Sequence, residues 1–288
     1  MTNQKKKYTI GVDIGGTKMS AVLYDGEKVL ADYTLATPKD TQDHLLVMLQ
    51  ALIEPLEEKA RDLKVKVGGL GLGVAGVIDY EEQKMLHSPN IPLIDGVKII
   101  ERLQEKIDLP MVMDNDANCF VRAEVLRGAG QKYNNVYGII IGTGIGGGWW
   151  INNEAYKGAH GGAGEPGEMI IDFQERIGLE EAYKKLTQNN PASLAEEAYR
   201  GDVLAQKTFT EVGQFLGLAF ANIVNLIDPE IIVIGGGVVE SSDLFLSTIR
   251  KSMKEYIDSS ESRKKVKVVK GKAGEFAGAI GAALLNIS

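Results

Sequence analysis

Hydrophobic residues along the chain occur in two alternating patterns, short apolar runs and longer stretches with helical spacing. Residues 8–12 and 19–24 are apolar runs on either side of a glycine turn, and residues 28–36 form a third run after a tight turn. Residues 41–63 instead place leucines on one face of a helix, although Pro55 is expected to kink or divide that helix. The chain is therefore predicted to open with three strands followed by a helix.

The remainder of the chain continues this alternation. Further strands are predicted at residues 67–74, 110–113, 136–141, 148–151, 231–234 and 266–269. Further helices are predicted at residues 97–107, 117–126, 178–186, 193–200, 203–227, 243–256 and 273–285. Strands that alternate with helices favour sheets with parallel strands and helices packed on their faces, so the sequence predicts an α/β protein.

The turn between the first two strands carries the first candidate chemistry. Gly15 and Gly16 lack β-carbons, so their backbone N–H groups can crowd against a bound anion, and Thr17 and Lys18 add a hydroxyl group and a cation. Asp13 would lie too close to a phosphate unless a hard cation stood between them, and Mg²⁺ binds carboxylates together with phosphate oxygens. The turn predicts a magnesium–nucleotide site; the alternative is a plain hairpin turn in which Asp13 caps loop amides.

The same arrangement recurs in the second half of the chain. An apolar strand at residues 136–141 leads into a glycine turn that begins Gly142-Thr143-Gly144, and a returning strand follows. An internal repeat at this distance predicts two similar domains, whose glycine hairpins could hold one phosphate chain from opposite sides. A third glycine cluster, at residues 235–237, follows another buried strand.

Polar residues are concentrated at the end of the strand at residues 110–113, in the segment Asp114-Asn115-Asp116-Ala117-Asn118. In open α/β sheets, ligands bind at the ends of such strands. A lone Asp116 could equally cap the following helix. The neighbouring polar groups favour a functional role for this segment.

Composition narrows the class of protein. The 288 residues allow two domains. The net charge of -7 and the pI near 5.2 do not indicate binding to nucleic acid or to an anionic membrane. Cys119 is the single cysteine, so an intrachain disulfide is not possible, and the N-terminus lacks the apolar core of a signal peptide. The uncharged stretch at residues 133–153 is rich in glycine and suits two strands better than a membrane span.

Taken together in this order and spacing, these motifs resemble the ROK family of sugar kinases and sugar-responsive repressors. The resemblance covers essentially the whole chain, and it implies the two-domain actin/hexokinase-like ATPase fold, which is ribonuclease H-like, with an interdomain cleft. The small N-terminal α/β domain would comprise residues 1–116, completed by a C-terminal helix at about 275–288, and the large one residues 117–274. The family's repressors carry an additional N-terminal DNA-binding domain, for which this sequence leaves no room before residue 13, so we expect the kinase branch.

The resemblance also implies roles for individual residues. Asp116 would be the general base that accepts the proton of a sugar hydroxyl, and Asp13 would serve Mg²⁺, directly or through water. The residues implied for nucleotide binding are Asp13, Gly15, Gly16, Thr17, Lys18, Thr143, Gly144, Gly236 and Gly237. The residues implied for the sugar are Asn90, Asn115, Glu165 and Glu181, together with Glu168.

The sequence departs from the family pattern in the glycine-rich loop after residue 158. Glu168 stands where most members have a histidine, so a group that can donate a hydrogen bond is replaced by one that only accepts. The cysteine-rich zinc segment is also missing, so we expect no zinc and a shortened connection at residues 173–178. A weaker metal cluster of His160, Glu165 and Glu168 is the alternative. Because of this difference, the substrate of other family members is not assigned to this protein.

We therefore expect a cytoplasmic, ATP- and Mg²⁺-dependent hexose kinase that acts on the 6-hydroxyl group of glucose. Fructose, N-acetylmannosamine and N-acetylglucosamine remain open as substrates, and polyphosphate as donor. The resemblance implies a homodimer, with no nucleic-acid or membrane partner. The rival functions are a catalytically silent sugar or nucleotide sensor and a conformational ATPase of the same broad fold.

Overall fold

The computed structural model describes residues 7–287. In chain order its strands are β1 Tyr8–Ile14, β2 Lys18–Tyr24, β3 Val29–Ala36, β4 Val67–Val74, β5 Val77–Asp79, β6 Lys84–His87, β7 Met111–Asn115, β8 Val136–Ile141, β9 Ile145–Ile151, β10 Glu154–Ala155, β11 Ile170–Asp172, β12 Ile177–Gly178, β13 Ile231–Gly235 and β14 Lys267–Lys270. Its helices are α1 Gln42–Asp62, α2 Ile99–Gln104, α3 Asp116–Arg127, α4 Leu179–Thr187, α5 Pro191–Tyr199, α6 Val203–Ile227, α7 Leu246–Tyr256, α8 Ser260–Lys265 and α9 Ala277–Leu284. Short 3-10 helices occur at Pro92–Ile94, Pro166–Glu168 and Gly237–Leu244.

The chain divides into two compact units. Among the described residues, unit 1 contains those up to Gly128, the segment Lys157–Ala163 and those from Ala273 onward; unit 2 contains Ala129–Tyr156 and Gly164–Lys272. The boundary expected at residue 116 falls at the start of α3, whereas the first unit extends to the end of that helix. The reason is that α3 packs closely on α9, which belongs to unit 1.

The sheet of unit 1 has the strand order β3-β2-β1-β4-β7. Strands β1, β2 and β3 pair antiparallel, whereas β1, β4 and β7 pair parallel. Ile10, Val12 and Ile14 of β1 join the core that contains α1 and α2. The intervening Gly11 lies under α9, where a β-carbon would collide with the backbone of Ala279. Because alternate residues of a strand face opposite sides, the sheet is covered by helices on both faces.

The sheet of unit 2 repeats this topology in the order β10-β9-β8-β13-β14. Strands β8, β9 and β10 pair antiparallel, and β8, β13 and β14 pair parallel. The hairpin β8–β9 thus occupies the same place in its sheet as β1–β2 does in the sheet of unit 1. The predicted internal repeat of two similar domains is confirmed at the level of strand order and direction.

Helix α6 is the central helix of unit 2. With 25 residues, this helix is long enough and apolar enough to cross a membrane. Half of its most apolar 18-residue stretch, however, is buried inside the protein. Phe209, Leu216 and Phe220 on this helix are almost fully buried in the core that also contains residues of α4, α5 and α7. The apolar composition of α6 is therefore explained by its position in the core of unit 2.

Several elements differ from the sequence predictions. Pro55 does not divide α1, which continues through it to Asp62. The last helix begins at Ala277 rather than residue 273, after Gly274 adopts a left-handed φ of 88°. The short helix α8, which Ser259 caps by accepting from the Ser262 N–H, was not predicted. The hairpins β5–β6 and β11–β12 were not predicted either, because strands of two to four residues carry too little alternation to be recognised.

Candidate active site

The carboxyl ends of three parallel strands bring the candidate residues of unit 1 together. Ile14 of β1 pairs with Val74 of β4, and Val74 pairs with Asn115 of β7. Asp13 near the end of β1 and Asp116 directly after β7 therefore lie at one edge of the sheet. This edge is the usual position of ligand sites in α/β sheets.

The first glycine segment forms the predicted hairpin turn at this edge. The Gly15 N–H donates to the Lys18 carbonyl at 3.1 Å, and Ile14 pairs with Met19 across the turn. Thr17 and Lys18 are exposed. The Lys18 ammonium group lies 3.4 Å from the carboxylate of Glu275, which is itself exposed. The hairpin is confirmed, and the binding of phosphate by its amides remains a prediction.

Thr37 holds this turn in place and was missed in the sequence analysis. Its backbone N–H donates to the Thr17 carbonyl at 3.0 Å, and its hydroxyl donates to the Gly15 carbonyl at 2.6 Å. Thr37 is buried directly after β3. A threonine that follows a strand carries no signal of its own in the sequence, because its partners lie some twenty residues earlier in the chain.

Asn90 packs against the same turn, at Gly16. Its β-carbon is 2.7 Å from the position that a β-carbon on Gly16 would occupy, so a larger residue than glycine cannot stand there without moving Asn90. The Asn90 carbonyl accepts a hydrogen bond from the Lys39 ammonium group at 3.0 Å, while Asn90 itself is exposed. The structure therefore places one predicted sugar-binding residue against the first glycine turn.

Asn115, rather than Asp116, caps helix α3. The Asn115 Oδ1 atom accepts from the Ala117 N–H at 2.8 Å and from the Asn118 N–H at 3.2 Å. Its Nδ2 group donates to the Gly76 carbonyl at 3.0 Å. The amide oxygen of Asn115 is thus engaged within the protein, and only part of its NH₂ group is left for a ligand. The alternative in which Asp116 is merely the helix cap is wrong, because Asp116 is the first residue of the helix.

Two carboxyl groups at this edge have raised pKa values. Burial raises the pKa of Asp116 from 3.8 to about 6, although hydrogen bonds from the backbone N–H groups of Ala117 and Asp116 itself oppose the shift. Burial, and then the negative charge of Asp116, raise the pKa of Asp13 from 3.8 to about 7, with Lys18 opposing. The Asp13 carboxylate also lies against the first turn of α9, where a β-carbon on Gly278 would be 2.5 Å away. Both groups can therefore change protonation state near neutral pH.

A buried carboxylate supports the segment that carries Asp116. Asp114 Oδ1 accepts from the Tyr80 hydroxyl at 2.7 Å, from the Asn118 amide at 3.0 Å and from the Asn115 N–H at 2.9 Å. Its other oxygen lies 3.5 Å from an Arg122 guanidinium nitrogen, and the Asp114 side chain is almost completely buried. Three hydrogen bonds and one ion pair fix the last residues of β7. The position of Asp116, which follows β7 directly, therefore depends on this network.

The second glycine segment forms the corresponding hairpin turn in unit 2. The Gly142 N–H donates to the Gly144 carbonyl at 2.9 Å, and Thr143 is exposed at the tip. The neighbouring strand β13 is followed directly by Gly236, which has a left-handed φ of 87° and packs directly against the backbone of Ile141. Thr143, Gly144 and the glycine cluster after β13 therefore lie together at one edge of the unit 2 sheet.

The predicted acidic sugar-binding residues of unit 2 are all on the surface. Glu165, Glu168 and Glu181 are exposed. Glu165 lies near Tyr137, whose pKa is raised by burial and then by the charge of Glu165. Glu168 and Glu181 border one polar cavity of about 420 Å³, which is lined by Gly167, Glu168, Ile170, Arg176, Gly178, Glu180, Glu181 and Lys184.

A β-hairpin occupies the region where the family pattern would have a zinc segment. Strands β11 and β12 pair antiparallel, and the Asp172 Oδ1 atom accepts from the Gln174 N–H at 2.9 Å and from the Glu175 N–H at 3.0 Å. Arg176 completes the turn with a left-handed φ of 57°. The connection is short, as expected. Within residues 7–287, no group of three or more His, Cys, Asp or Glu side chains is arranged to hold a metal ion.

Comparison with known proteins places these features in one family. The model of the ROK family matches residues 9–288. The chain is 30% identical over 311 residues to the N-acetyl-D-glucosamine kinase of Mannheimia succiniciproducens, covering 96% of this chain and 99% of that protein. It is 29% identical over 273 residues to the xylose repressor of Bacillus subtilis, covering 87% of this chain and 70% of the repressor.

A solved structure gives the same result for the fold. The ROK family glucokinase from Streptomyces griseus, determined in complex with glucose and AMPPNP, is similar with a TM-score of 0.83 and 29% sequence identity. The alignment covers 96% of this chain and 98% of the glucokinase chain. The two sheets of like topology are accordingly those of the actin/hexokinase-like ATPase fold that the sequence motifs implied.

Proposed function

The chain belongs to the ROK family, and we propose that it is an ATP-dependent kinase that phosphorylates a hydroxyl group of a hexose. The observation that carries the proposal is the state of Asp116. Its carboxylate is not the helix cap, it stands at the ligand edge of the sheet, and burial raises its pKa to about 6. A carboxylate with this pKa is ionised at neutral pH and can still accept a proton efficiently.

Asp116 is proposed as the general base. A sugar hydroxyl becomes a better nucleophile when a carboxylate within hydrogen-bonding distance accepts its proton in the transition state. The network around Asp114 holds the backbone that precedes Asp116. Asp116 can therefore act from a fixed position, which is what phosphoryl transfer needs, since positioning and charge stabilisation supply most of its catalysis.

The residues around Asp13 fit a magnesium ion. Asp13 lies beside a second carboxylate, and its pKa is raised to about 7 first by burial and then by the negative charge of Asp116. A hard cation would relieve that repulsion, and carboxylate oxygens are ligands that Mg²⁺ prefers. When bound, Mg²⁺ would neutralise charge on the phosphate oxygens. Asp13 would hold the ion directly or through water.

The remaining roles are proposed on the same basis. In unit 1, the amides of Gly15 and Gly16 with Thr17 and Lys18 would hold phosphate, and Asn90 would bind the sugar. In unit 2, the exposed turn at Thr143 and Gly144 would hold phosphate, and Gly236 and Gly237 would contact the nucleotide. Glu165, Glu168 and Glu181 would bind sugar hydroxyls as acceptors. Asn115 would contribute at most an N–H donor, because its oxygen caps α3.

Glucose, phosphorylated at its 6-hydroxyl group, is the substrate we propose to test first. The similarity to a glucokinase and to an N-acetyl-D-glucosamine kinase supports a hexose or its N-acetyl derivative. N-acetylmannosamine and fructose are the next substrates to test, since Glu168 alters the hydrogen bonding expected at the sugar. The protein would act in the cytoplasm, where ATP is made, and we propose a homodimer.

One specific observation favours a second candidate function. The similarity to a xylose repressor is as strong as that to the kinases, so a sugar-binding regulator without turnover is the rival. A regulator would need the sugar-binding residues but would not need Asp116 as a base with a pKa near neutrality. The position of Asp116 at the ligand edge of the sheet and its raised pKa therefore favour the kinase.

A screen of ADP release over a panel of hexoses, combined with calorimetric titration of the same sugars, tests the proposal. The panel should contain glucose, fructose, N-acetylmannosamine, N-acetylglucosamine and xylose, each with MgATP and separately with polyphosphate. ADP release that depends on one hexose is the expected result. Sugar binding without any turnover would identify a regulator, and sugar-independent ADP release would identify a conformational ATPase.

A further inference from the structure

Helix α4 holds both ends of the glycine turn between β8 and β9. The Glu180 carboxylate accepts a hydrogen bond from the Ile145 N–H at 2.5 Å, and the Tyr183 hydroxyl donates to the Gly142 carbonyl at 3.2 Å. The two side chains are three residues apart in sequence and so project from the same side of the helix. The turn is therefore fixed from α4 at its first residue and at the residue that follows Gly144.

The Glu180 carboxylate is itself held in place and fits closely under the turn. Its other oxygen forms an ion pair with Lys184 at 2.5 Å, one helical turn along α4. A β-carbon on Gly144 would lie 2.6 Å from Glu180 Oε2, and one on Gly167 would lie 3.4 Å from the same atom. Glu180 is thus in direct contact with the glycine segment.

The presence of a carboxylate here requires explanation, because a negative charge next to a phosphate-binding turn should weaken phosphate binding. Lys184 resolves the conflict, since its ammonium group pairs with Glu180 and leaves the pair neutral overall. What remains is a strong acceptor for one backbone N–H, and hydrogen bonds to charged groups are stronger than those between neutral groups. The arrangement is suited to fixing the turn without repelling an anion.

We propose that Glu180 is a positioning residue for the phosphate-binding turn of unit 2. By holding the Ile145 N–H, Glu180 fixes the conformation in which Thr143 and Gly144 present their amides to the donor's phosphates, and Lys184 keeps Glu180 neutralised. This inference rests on the proposed function in so far as the turn binds a nucleotide. Glu180 also borders the polar cavity, together with its neighbour Glu181 and with Lys184.

Three variants separate positioning from a merely structural contact. Glu180→Leu removes the acceptor, whereas Glu180→Gln keeps an oxygen that can accept from the Ile145 N–H. Glu196→Gln is the matched control, because Glu196 forms a similar i,i+4 pair with Arg200 at 3.2 Å on the exposed face of α5. Each variant is measured for KM of ATP, KM of the sugar, Kd of AMPPNP by calorimetry, and thermal midpoint.

Glu180→Leu is expected to raise the KM of ATP and the Kd of AMPPNP about tenfold, with the KM of the sugar changed less than about twofold. Glu180→Gln should restore most of the loss, and Glu196→Gln should equal the wild type. Unchanged nucleotide affinity in Glu180→Leu would overturn the proposal. Equal rises in both KM values with a lowered thermal midpoint, without recovery in Glu180→Gln, would also overturn it, because they indicate general loosening of unit 2.

The design distinguishes failure of this inference from failure of the proposed function. If the wild type binds AMPPNP but turns over no sugar, the kinase assignment fails, and the Kd values of the three variants still decide the role of Glu180. If the wild type binds no AMPPNP at all, the assignment of this turn to a nucleotide fails together with the role of Glu180.

Discussion

Turnover should fall steeply as the pH is lowered from 7 to 5, because Asp116 loses its capacity to accept a proton. Burial raises the pKa of Asp116 to about 6. A group with that pKa is about 90% ionised at pH 7 and about 10% ionised at pH 5, so kcat/KM for the sugar should drop about tenfold. An aspartate with an ordinary pKa would still be more than about 90% ionised at pH 5, and the rate would hardly change.

The assay must isolate Asp116 from its neighbour Asp13. Initial rates of ADP release are measured at limiting sugar and saturating MgATP, because the Mg²⁺ proposed to bind at Asp13 would keep this carboxylate ionised, although its pKa in the free protein is about 7. Circular dichroism at each pH checks that the fold is intact. A rate that stays level down to pH 5 would refute the argument, because it would mean that no group with a raised pKa acts as the base.

Two further predictions concern stability and the charges behind the site. Arg122→Met should lower the free energy of unfolding by about 3 kcal/mol in urea titrations, since it leaves the buried charge of Asp114 without its cation; a change below about 0.5 kcal/mol would contradict this. Asp13→Asn should stabilise the metal-free protein at high pH. The folded-state pKa of Asp13, about 7, exceeds its ordinary value of 3.8, so the ionised carboxylate opposes folding, and its cost grows between about pH 4 and pH 7 and levels off above pH 7. The advantage of the variant should increase by about 3 kcal/mol between pH 5 and pH 8 in thermal or urea denaturation, and a constant difference would show that Asp13 is not perturbed.

The sequence predicts the repeated part of the fold well, because glycine turns between apolar runs are local signals. The hairpin at Gly15 and its counterpart at Gly142 are both present, and the parallel strands beside them follow from the alternation of strands with helices. The extent of unit 1 could not be predicted in the same way. Helix α3 joins that unit through its packing on α9, which lies about 150 residues further along the chain, and no local pattern records that contact.

The candidate site is predictable in the identity of its charged residues and not in the division of their roles. Asn115 and Asp116 are adjacent polar residues that can each cap a helix, and only the backbone geometry decides that Asn115 is the cap. Thr37 and Glu180 escape sequence analysis for a related reason. Each holds a glycine turn through a contact with residues some twenty to forty positions away, and neither belongs to a motif.

The helix-breaking signal of Pro55 also shows where a local rule yields to packing. A proline in a helix interior removes one backbone hydrogen bond and usually kinks or ends the helix. Helix α1 nevertheless continues, because Leu52, Ile53 and Leu56 on either side of the proline are buried in the core of unit 1. Burial of three large side chains outweighs the local cost.

The most direct test of the central claim is the turnover of Asp116→Asn, measured beside Asp108→Asn as a control at an exposed carboxylate before β7. The amide keeps the size of the side chain but cannot accept the proton of a sugar hydroxyl. We expect sugar-dependent ADP release to fall at least about a hundredfold, with the Kd of AMPPNP changed less than about twofold and Asp108→Asn unaffected. Turnover of Asp116→Asn at the wild-type rate would contradict the assignment of Asp116 as the general base.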